Sequence, residues 1–406
     1  MSKAEVFRTI VSKRMMITFV MGFSSGLPLL LTLSTLQAWM KDLNVDLGKI
    51  GLITLAGLPY SWKFLWAPLF DRFTPRFLGR RRGWLLLSQI ALAISIAAMG
   101  IFDPAQNLLK LSFVALLVAF FSASQDIIID SYRREHLPDQ ELGLGSSVYV
   151  YGYRTAMLLS GAGSLILADY ISWRLVYLIM GACMFVPIIV TLWCPEPEVT
   201  EKPPSNFKES VVDPFVEFFK RHGAWTILLF ILLYKLGDAM ASAMTMPFYQ
   251  EMGFTKTDIG AVTKIFGFWA TIVGSFIGGL LIIRLEISRS LFIFGILQSI
   301  STAGFALLAH LGPSLIGLSS VILVENVTGG MGTAAFMAFM ASQTNKKFTA
   351  TQYALFSSLM GMPRNLLSSP TGYMAQALGW GPFFIFCTLI AIPGIWLVKR
   401  LEIKRV

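Results

Sequence analysis

Residues 111–130 read LSFVALLVAFFSASQDIIID, an apolar run that closes on an amide and two carboxylates, Gln125, Asp126 and Asp130. A hydrocarbon layer about 30 Å thick takes roughly 20 apolar residues of helix to cross, and this run sits inside a stretch of that length. A charge near the middle of the layer costs about 2.5–3.5 kcal/mol on insertion scales, so charges kept there face one another or a water-filled path. The pattern recurs along the chain. Spans are expected near 15–38, 50–69, 84–101, 109–131, 147–168, 174–194, 225–247, 258–283, 290–311, 315–342, 349–371 and 380–399. Lys63, Lys235, Asp238, Glu325 and Arg364 join Asp126 at interior depths.

Composition agrees. The 406 residues are 55% hydrophobic and 14% charged, against about 25% charged in soluble domains. The chain is therefore expected to be an all-α integral membrane protein. Its net charge of +10 does not indicate nucleic acid, because the basic residues gather in short loops on one side: Lys3 to Arg14, Arg72 to Arg82, Arg133–Arg134, Lys202 to Arg221, Arg284 and Arg289, Lys346–Lys347, and Lys399 to Arg405. The positive-inside rule makes that side, with both termini, cytoplasmic. No small-residue cleavage site follows the basic N-terminus, so the first apolar run is expected to be a retained helix. Cys183, Cys194 and Cys387 lie in or at the ends of spans, without metal spacing, and read as buried small hydrophobes.

The longest polar connection, about 195–224, carries prolines and charges and divides the chain into bundles of six helices, 1–194 and 225–406, joined by a cytoplasmic linker. Trp39-Met40-Lys41-Asp42 leading to Ile50-Gly51 is echoed by Tyr249-Gln250-Glu251-Met252 leading to Ile259-Gly260. Such a once-per-half pattern suggests parallel repeats.

The charged residues have more than one reading. Asp71 ends the second span and precedes Arg72, Arg80 and Arg81. It can pair with loop arginines and face a neighbouring helix N-terminus. Either these residues only set topology or they form a gating latch made in one transport state and broken in another. Asp126 and Asp130 share a helix face. Asp126 is a candidate proton carrier or a structural partner of Lys63 or Arg154; Asp130 is a second candidate or a partner of Arg133 or Arg134. Lys235 and Asp238, spaced i, i+3, form either a self-neutralising pair or a site where the lysine meets an anionic cargo and the aspartate carries a proton. Glu325, beside Asn326 and Gly329-Gly330, is a coupling carboxylate or a partner of Arg364. Gln37 and Trp39 suit sugar hydroxyls and a sugar ring, though Trp39 equally suits an interfacial belt. Lys63, Gln125, Lys235, Asn326 and Arg364 complete the candidate cargo contacts.

Asp71-Arg72 followed by Gly79-Arg80-Arg81 resembles the signature of the major facilitator superfamily, with wider spacing than usual and a degenerate counterpart in the second half. Ser25-Gly26-Leu27-Pro28, Leu36-Gln37-Ala38-Trp39-Met40, Lys63-Phe64-Leu65-Trp66, Gly79 to Trp84, Ser122 to Ile127, Tyr234 to Ala239, Gly329 to Thr333 and Ala350-Thr351-Gln352 resemble the AmpG-type muropeptide permeases over nearly the whole chain. The resemblance implies a twelve-helix major facilitator fold whose first, fourth, seventh and tenth helices line a cavity. It implies proton-coupled import of anhydro-muropeptides from periplasm to cytoplasm across the bacterial inner membrane for peptidoglycan recycling, a process tied to beta-lactam resistance. A monomer without cofactors is expected. Longer members continue past the twelfth helix, so any role of that extension is expected to be missing from a sequence ending at Val406.

Two alternatives remain: a related facilitator for another polar anion such as acetyl-coenzyme A, and a membrane-embedded sensor or acyltransferase. Enzyme readings find little support. There is no phosphate-binding G-x-x-x-x-G-K-[ST]. Gly22-Phe23-Ser24-Ser25-Gly26 fits G-x-S-x-G but lies within an apolar helix, with no strand before it and no histidine partner. Gly22 and Gly26 are instead expected to let helices approach closely, and Pro28 to kink its helix.

Overall fold

The computed structural model describes residues 9–45, 53–198, 208–362 and 370–401, and among them every regular element is helical. Eight stretches are long and apolar enough to cross a membrane; one of them, Gly260–Leu311, is long enough for two crossings. It includes a 45-residue helix, Gly267–Leu311, that turns at Glu286, where the backbone adopts φ 64 and ψ 159. The loop expected at 284–289 is thus reduced to a kink.

The remaining expected spans are helical in pieces. Residues 53–72 run as a 3-10 turn (Ile53–Gly57), a short helix (Leu58–Trp62), a second 3-10 turn (Lys63–Leu65) and a helix (Ala67–Arg72). Proline stands in the first positions of both short helices, at Pro59 and Pro68. Its fixed φ suits a helix start and its missing N–H prevents a continuous ladder. The fifth expected span starts earlier than read, as Leu142–Leu158, and continues through a π turn into Ser164–Ala168. The first span also breaks, between Leu31 and Ser34, one turn after Pro28 rather than at it. In the seventh span, Ala224–Leu233 and Leu236–Glu251 are separated at Lys235, whose φ of −103 and ψ of 7 leave the helical region.

The linker is also more ordered than its composition suggests. A π turn, Lys208–Val212, opens into the helix Asp213–Lys220. That helix closes on Arg221, which grips Glu217 at 2.7 Å one turn back and donates to the Gln343 carbonyl at 2.6 Å.

Two compact units emerge. The first holds residues 1–138, 148–215 and 344–358; the second holds 139–147, 216–343 and 359–406. Both therefore depart from the simple sequence halves by one short segment.

Helices in lipid gain little from burying apolar surface against one another, so close backbone approach and hydrogen bonding must hold them. In the first unit a Cβ on Gly22 would strike the Tyr149 carbonyl, one on Gly26 the Tyr153 carbonyl, and one on Gly152 the Phe19 carbonyl. The helices Lys13–Leu31 and Leu142–Leu158 thus meet backbone to backbone, as the glycines led one to expect. The second unit repeats the device between Gly267–Leu311 and Leu315–Ser342: Gly274 meets Val327, and Gly330 meets Thr271. Its core is an aromatic cluster in which Phe248, Phe305 and Phe384 contact one another. The first core is largely aliphatic, built on Leu27, Leu92, Ile96, Leu111 and Met180. Of the cysteines, Cys194 and Cys387 are buried and Cys183 half-buried, all free.

Candidate functional site

Three groups of polar side chains stand out, two in the first unit and one in the second. The first lies where Ala67–Arg72 meets Arg80–Met99. The Asp71 carboxylate is fully buried and gathers donors from Arg80 at 3.0 Å and Arg81 at 2.9 Å. It also accepts from the backbone N–H groups of Ala350 (3.2 Å) and Thr351 (2.8 Å), and from the Thr351 hydroxyl at 2.8 Å. Asp71 therefore caps the exposed amides at the start of the helix Thr349–Met362, where a carboxylate also meets the positive end of the helix dipole. Arg81 is held a second time by Glu135, at 2.9 and 2.5 Å, and by the Phe70 carbonyl at 3.0 Å. Arg80 reaches the Lys347 carbonyl at 3.1 Å. Arg72 stays outside this group, its guanidinium stacked 5.0 Å from the Phe73 ring centroid. Sequence reading missed Glu135 and Thr351; the charge of Tyr132-Arg133-Arg134-Glu135-His136 was the available signal for the former.

The second group runs along Leu108–His136. Asp126 lies within electrostatic reach of Lys63, which is buried in its 3-10 turn and also senses Asp130. One Asp126 oxygen, Oδ1, is buried without a hydrogen-bond partner among the described residues; so are the hydroxyls of Ser25, Tyr60 and Ser122. Tyr60 and Ser25 both interact with the Asp126 carboxylate. Asp130 is occupied differently. It pairs with Arg133 at 3.2 Å, and Arg133 in turn donates to the Tyr353 hydroxyl at 2.7 Å and lies 4.7 Å from the Tyr149 ring centroid. Arg154, weighed as a partner for Asp126, is exposed.

Gln125 is committed to helix packing. It accepts from the Ser24 hydroxyl at 2.8 Å and donates to the Ser24 carbonyl at 3.0 Å. Trp39 belongs to the apolar core, stacked on Trp173 with centroids 6.0 Å apart and tilted against Tyr177 at 5.3 Å. Gln37 is half-buried on Ser34–Asp42.

The third group, in the second unit, centres on the break at Lys235. Lys235 donates to Gln298 at 2.8 Å and lies 3.6 Å from Asp238. Glu325 accepts from Ser301 at 2.5 Å and from Thr302 at 3.4 Å, and is electrostatically linked to Asp238 and Lys235. Ser301 and Thr328 are 3.0 Å apart. Asn326 faces elsewhere, accepting from Thr271 at 2.8 Å and donating to the Ile322 carbonyl at 2.9 Å. Arg364, the other partner considered for Glu325, lies outside the described residues. Ser301, Thr302 and Gln298 were missed, although Gln298-Ser299-Ile300-Ser301-Thr302 breaks an otherwise apolar span.

The arrangement can hold and exchange charge inside an apolar body. Interior lysines at helix interruptions stand near carboxylates that protein groups satisfy only in part, and no group of three or more His, Cys, Asp or Glu able to hold a metal occurs among the described residues. This is the equipment of a multi-pass carrier of polar solutes. The model of the Major Facilitator Superfamily matches residues 15–368. The chain belongs to that superfamily, and within it to the family of the anhydromuropeptide permeases, as a secondary transporter rather than an enzyme. It is 44% identical to the anhydromuropeptide permease of Escherichia coli K12, over 99% of this chain and 83% of that protein. It is 35% identical to putative transporter AmpG 4 of Rickettsia conorii, over 95% of this chain and 96% of that one. Among solved structures it is similar to the E. coli fucose:proton symporter FucP, with a TM-score of 0.74 at 12% identity, covering 95% of this chain and 98% of that one. It is also similar to the proton:xylose symporter XylE, with a TM-score of 0.70 at 10% identity, covering 96% and 95%.

Proposed function

We infer that this protein imports anhydro-muropeptides, N-acetylglucosaminyl-anhydro-N-acetylmuramyl peptides, from periplasm to cytoplasm together with protons, by alternating access. The cargo rests on one observation, the 44% identity to an anhydromuropeptide permease along essentially the whole chain. Muropeptides carry several carboxylates, so Lys63 and Lys235 are the cations assigned to meet them. The discontinuous backbone at both lysines supports this role, because broken helices in transporters line cavities rather than face lipid. Arg364 and Gln37 stay in the proposed contact set. Trp39, Gln125 and Asn326 leave it, since their polar atoms or ring faces are committed to packing.

Proton coupling is assigned first to Asp126, whose free oxygen is open to a proton or a water, and then to Glu325 and Asp238. Asp130, paired with Arg133, acts through that pair. Asp71, Arg80 and Arg81 form the latch. The bundles 1–194 and 225–406 are the moving bodies, joined by 195–224. The basic loops support a bacterial inner-membrane location with both termini cytoplasmic.

Membrane vesicles given an inward proton gradient and labelled anhydro-muropeptide test the reading. Uptake that unlabelled muropeptide suppresses, and acetyl-coenzyme A does not, supports the cargo; the reverse competition rejects it. Gradient-independent equilibration without accumulation rejects the coupling.

A further inference from the structure

On the outer face of the second unit, away from its polar cluster, Gly267–Leu311 and Ile392–Leu397 enclose a groove of about 290 Å³. That is just below the volume range of pockets for whole small molecules, about 300–1,000 Å³. Phe292, Ile296, Ile300, Ile392 and Trp396 form its walls. Along its walls the one hydroxyl, that of Ser299, is committed to the Thr388 carbonyl at 2.9 Å. A hydrocarbon chain suits such walls; a hydrophilic solute does not.

One end of the groove is basic. Lys399 lines it and lies 4.9 Å from the Phe292 ring centroid, while Arg400 lies 4.2 Å from that of Trp396. Both side chains are exposed, and neither makes an ion pair among the described residues. The rings fix where these cations stand while leaving their N–H groups open to an acceptor. Arg289, exposed, precedes Phe292 by three residues and extends the same helix face toward this end. Among the described residues, Glu286, exposed at the kink, is the acid on this stretch of helix. An apolar channel capped by two exposed cations matches one kind of molecule, a chain with an anionic head.

We propose that this groove is a binding site for an anionic phospholipid, one acyl chain lying along Ile296, Ile300 and Ile392 and the phosphate held by Lys399 and Arg400. The site is independent of the transport reading, since neither the cargo nor the coupling residues take part.

Trp396 gives a local readout. The purified full-length chain, reconstituted in phosphatidylcholine, is titrated with phosphatidylglycerol or phosphatidylcholine brominated on the acyl chain. The expected result is stronger quenching of the Trp396 component, defined by subtracting Trp396→Phe, for the anionic lipid. Two cations near an anionic head favour it by about tenfold or more in apparent affinity. Lys399→Gln/Arg400→Gln is expected to abolish that preference while quenching by brominated phosphatidylcholine persists, which also reports that the variant is folded. Ile300→Phe, which fills the channel with a non-fluorescing ring but keeps both cations, is expected to weaken quenching of Trp396 by both lipids. Equal quenching by the two lipids in the unaltered protein, or a preference that survives the double substitution, overturns the proposal.

Discussion

The two interior carboxylate clusters differ in how their polar groups are satisfied. In the second unit, Glu325 receives hydroxyls from Ser301 and Thr302, and Lys235 is shared between Gln298 and Asp238. In the first unit, one Asp126 oxygen has no hydrogen-bond partner among the described residues, although the Ser25 and Tyr60 side chains stand beside the carboxylate. Buried polar groups are normally hydrogen-bonded, and an exception calls for a reason. A carboxylate that protein hydroxyls satisfy is held by the fold. One that is incomplete is held for something that arrives: water, a proton or a polar cargo. Transport effects should therefore concentrate at Asp126, and stability effects at Glu325.

Substitutions can break that contrast. Asp126→Asn is expected to lower proton-driven accumulation of muropeptide in vesicles by about 100-fold, within the range of coupling energies, while changing the melting temperature little, because an amide oxygen can still accept from the neighbouring Ser25 side chain. A large drop in melting temperature would mean that Asp126 is structural. Glu325→Gln is expected to reduce accumulation less, by about tenfold. It should also destabilise the purified protein by about 1–3 kcal/mol, because an amide has one acceptor oxygen where the carboxyl takes the Ser301 and Thr302 hydroxyls on two. If its transport loss matches that of Asp126→Asn, the ranking of the two carboxylates fails. Ser301→Ala, read by thermal denaturation, is expected to cost about 1 kcal/mol with transport largely kept. Tyr60→Phe is the smallest and carries the opposite sign. It deletes an unsatisfied buried hydroxyl and should raise the melting temperature slightly, by the equivalent of a few tenths of a kcal/mol up to about 1, while weakening uptake.

The sequence made the fold and the charged residues legible for a simple reason. Apolar length and interior charge are local properties, so the spans and residues such as Asp71, Asp126, Lys235 and Glu325 could be picked out one by one. What they touch is not local. Asp71 could be matched to Arg80 and Arg81 within its own loop, but its capping of Ala350 and Thr351 joins residues far apart in the chain. Serine and threonine hydroxyls reach Glu325, and hydroxyls inside a span carry no signal of their partner. Gln125 and Asn326 read as cargo contacts in the sequence, yet amides are also what helices use to bond across one another in a bilayer. Helix breaks at Lys63 and Lys235 were likewise hidden. Pro59 and Pro68 announce the first, but no proline or glycine occupies the second break itself.

Asp71 divides its donors unevenly between its two oxygens. Both guanidiniums and the Ala350 amide reach Oδ1, whereas Oδ2 is served only by the amide and hydroxyl of Thr351. If the helix that begins at Thr349 withdraws, the ion pairs can stay intact and the bare atom is Oδ2. Detachment then gives up neutral partners, the Ala350 and Thr351 amides, the Lys347 carbonyl and the Tyr353 hydroxyl, rather than the buried charge pairs of Asp71. Its rate should follow how readily a solvent molecule enters beside Thr351, and osmolytes that lower water activity should slow it.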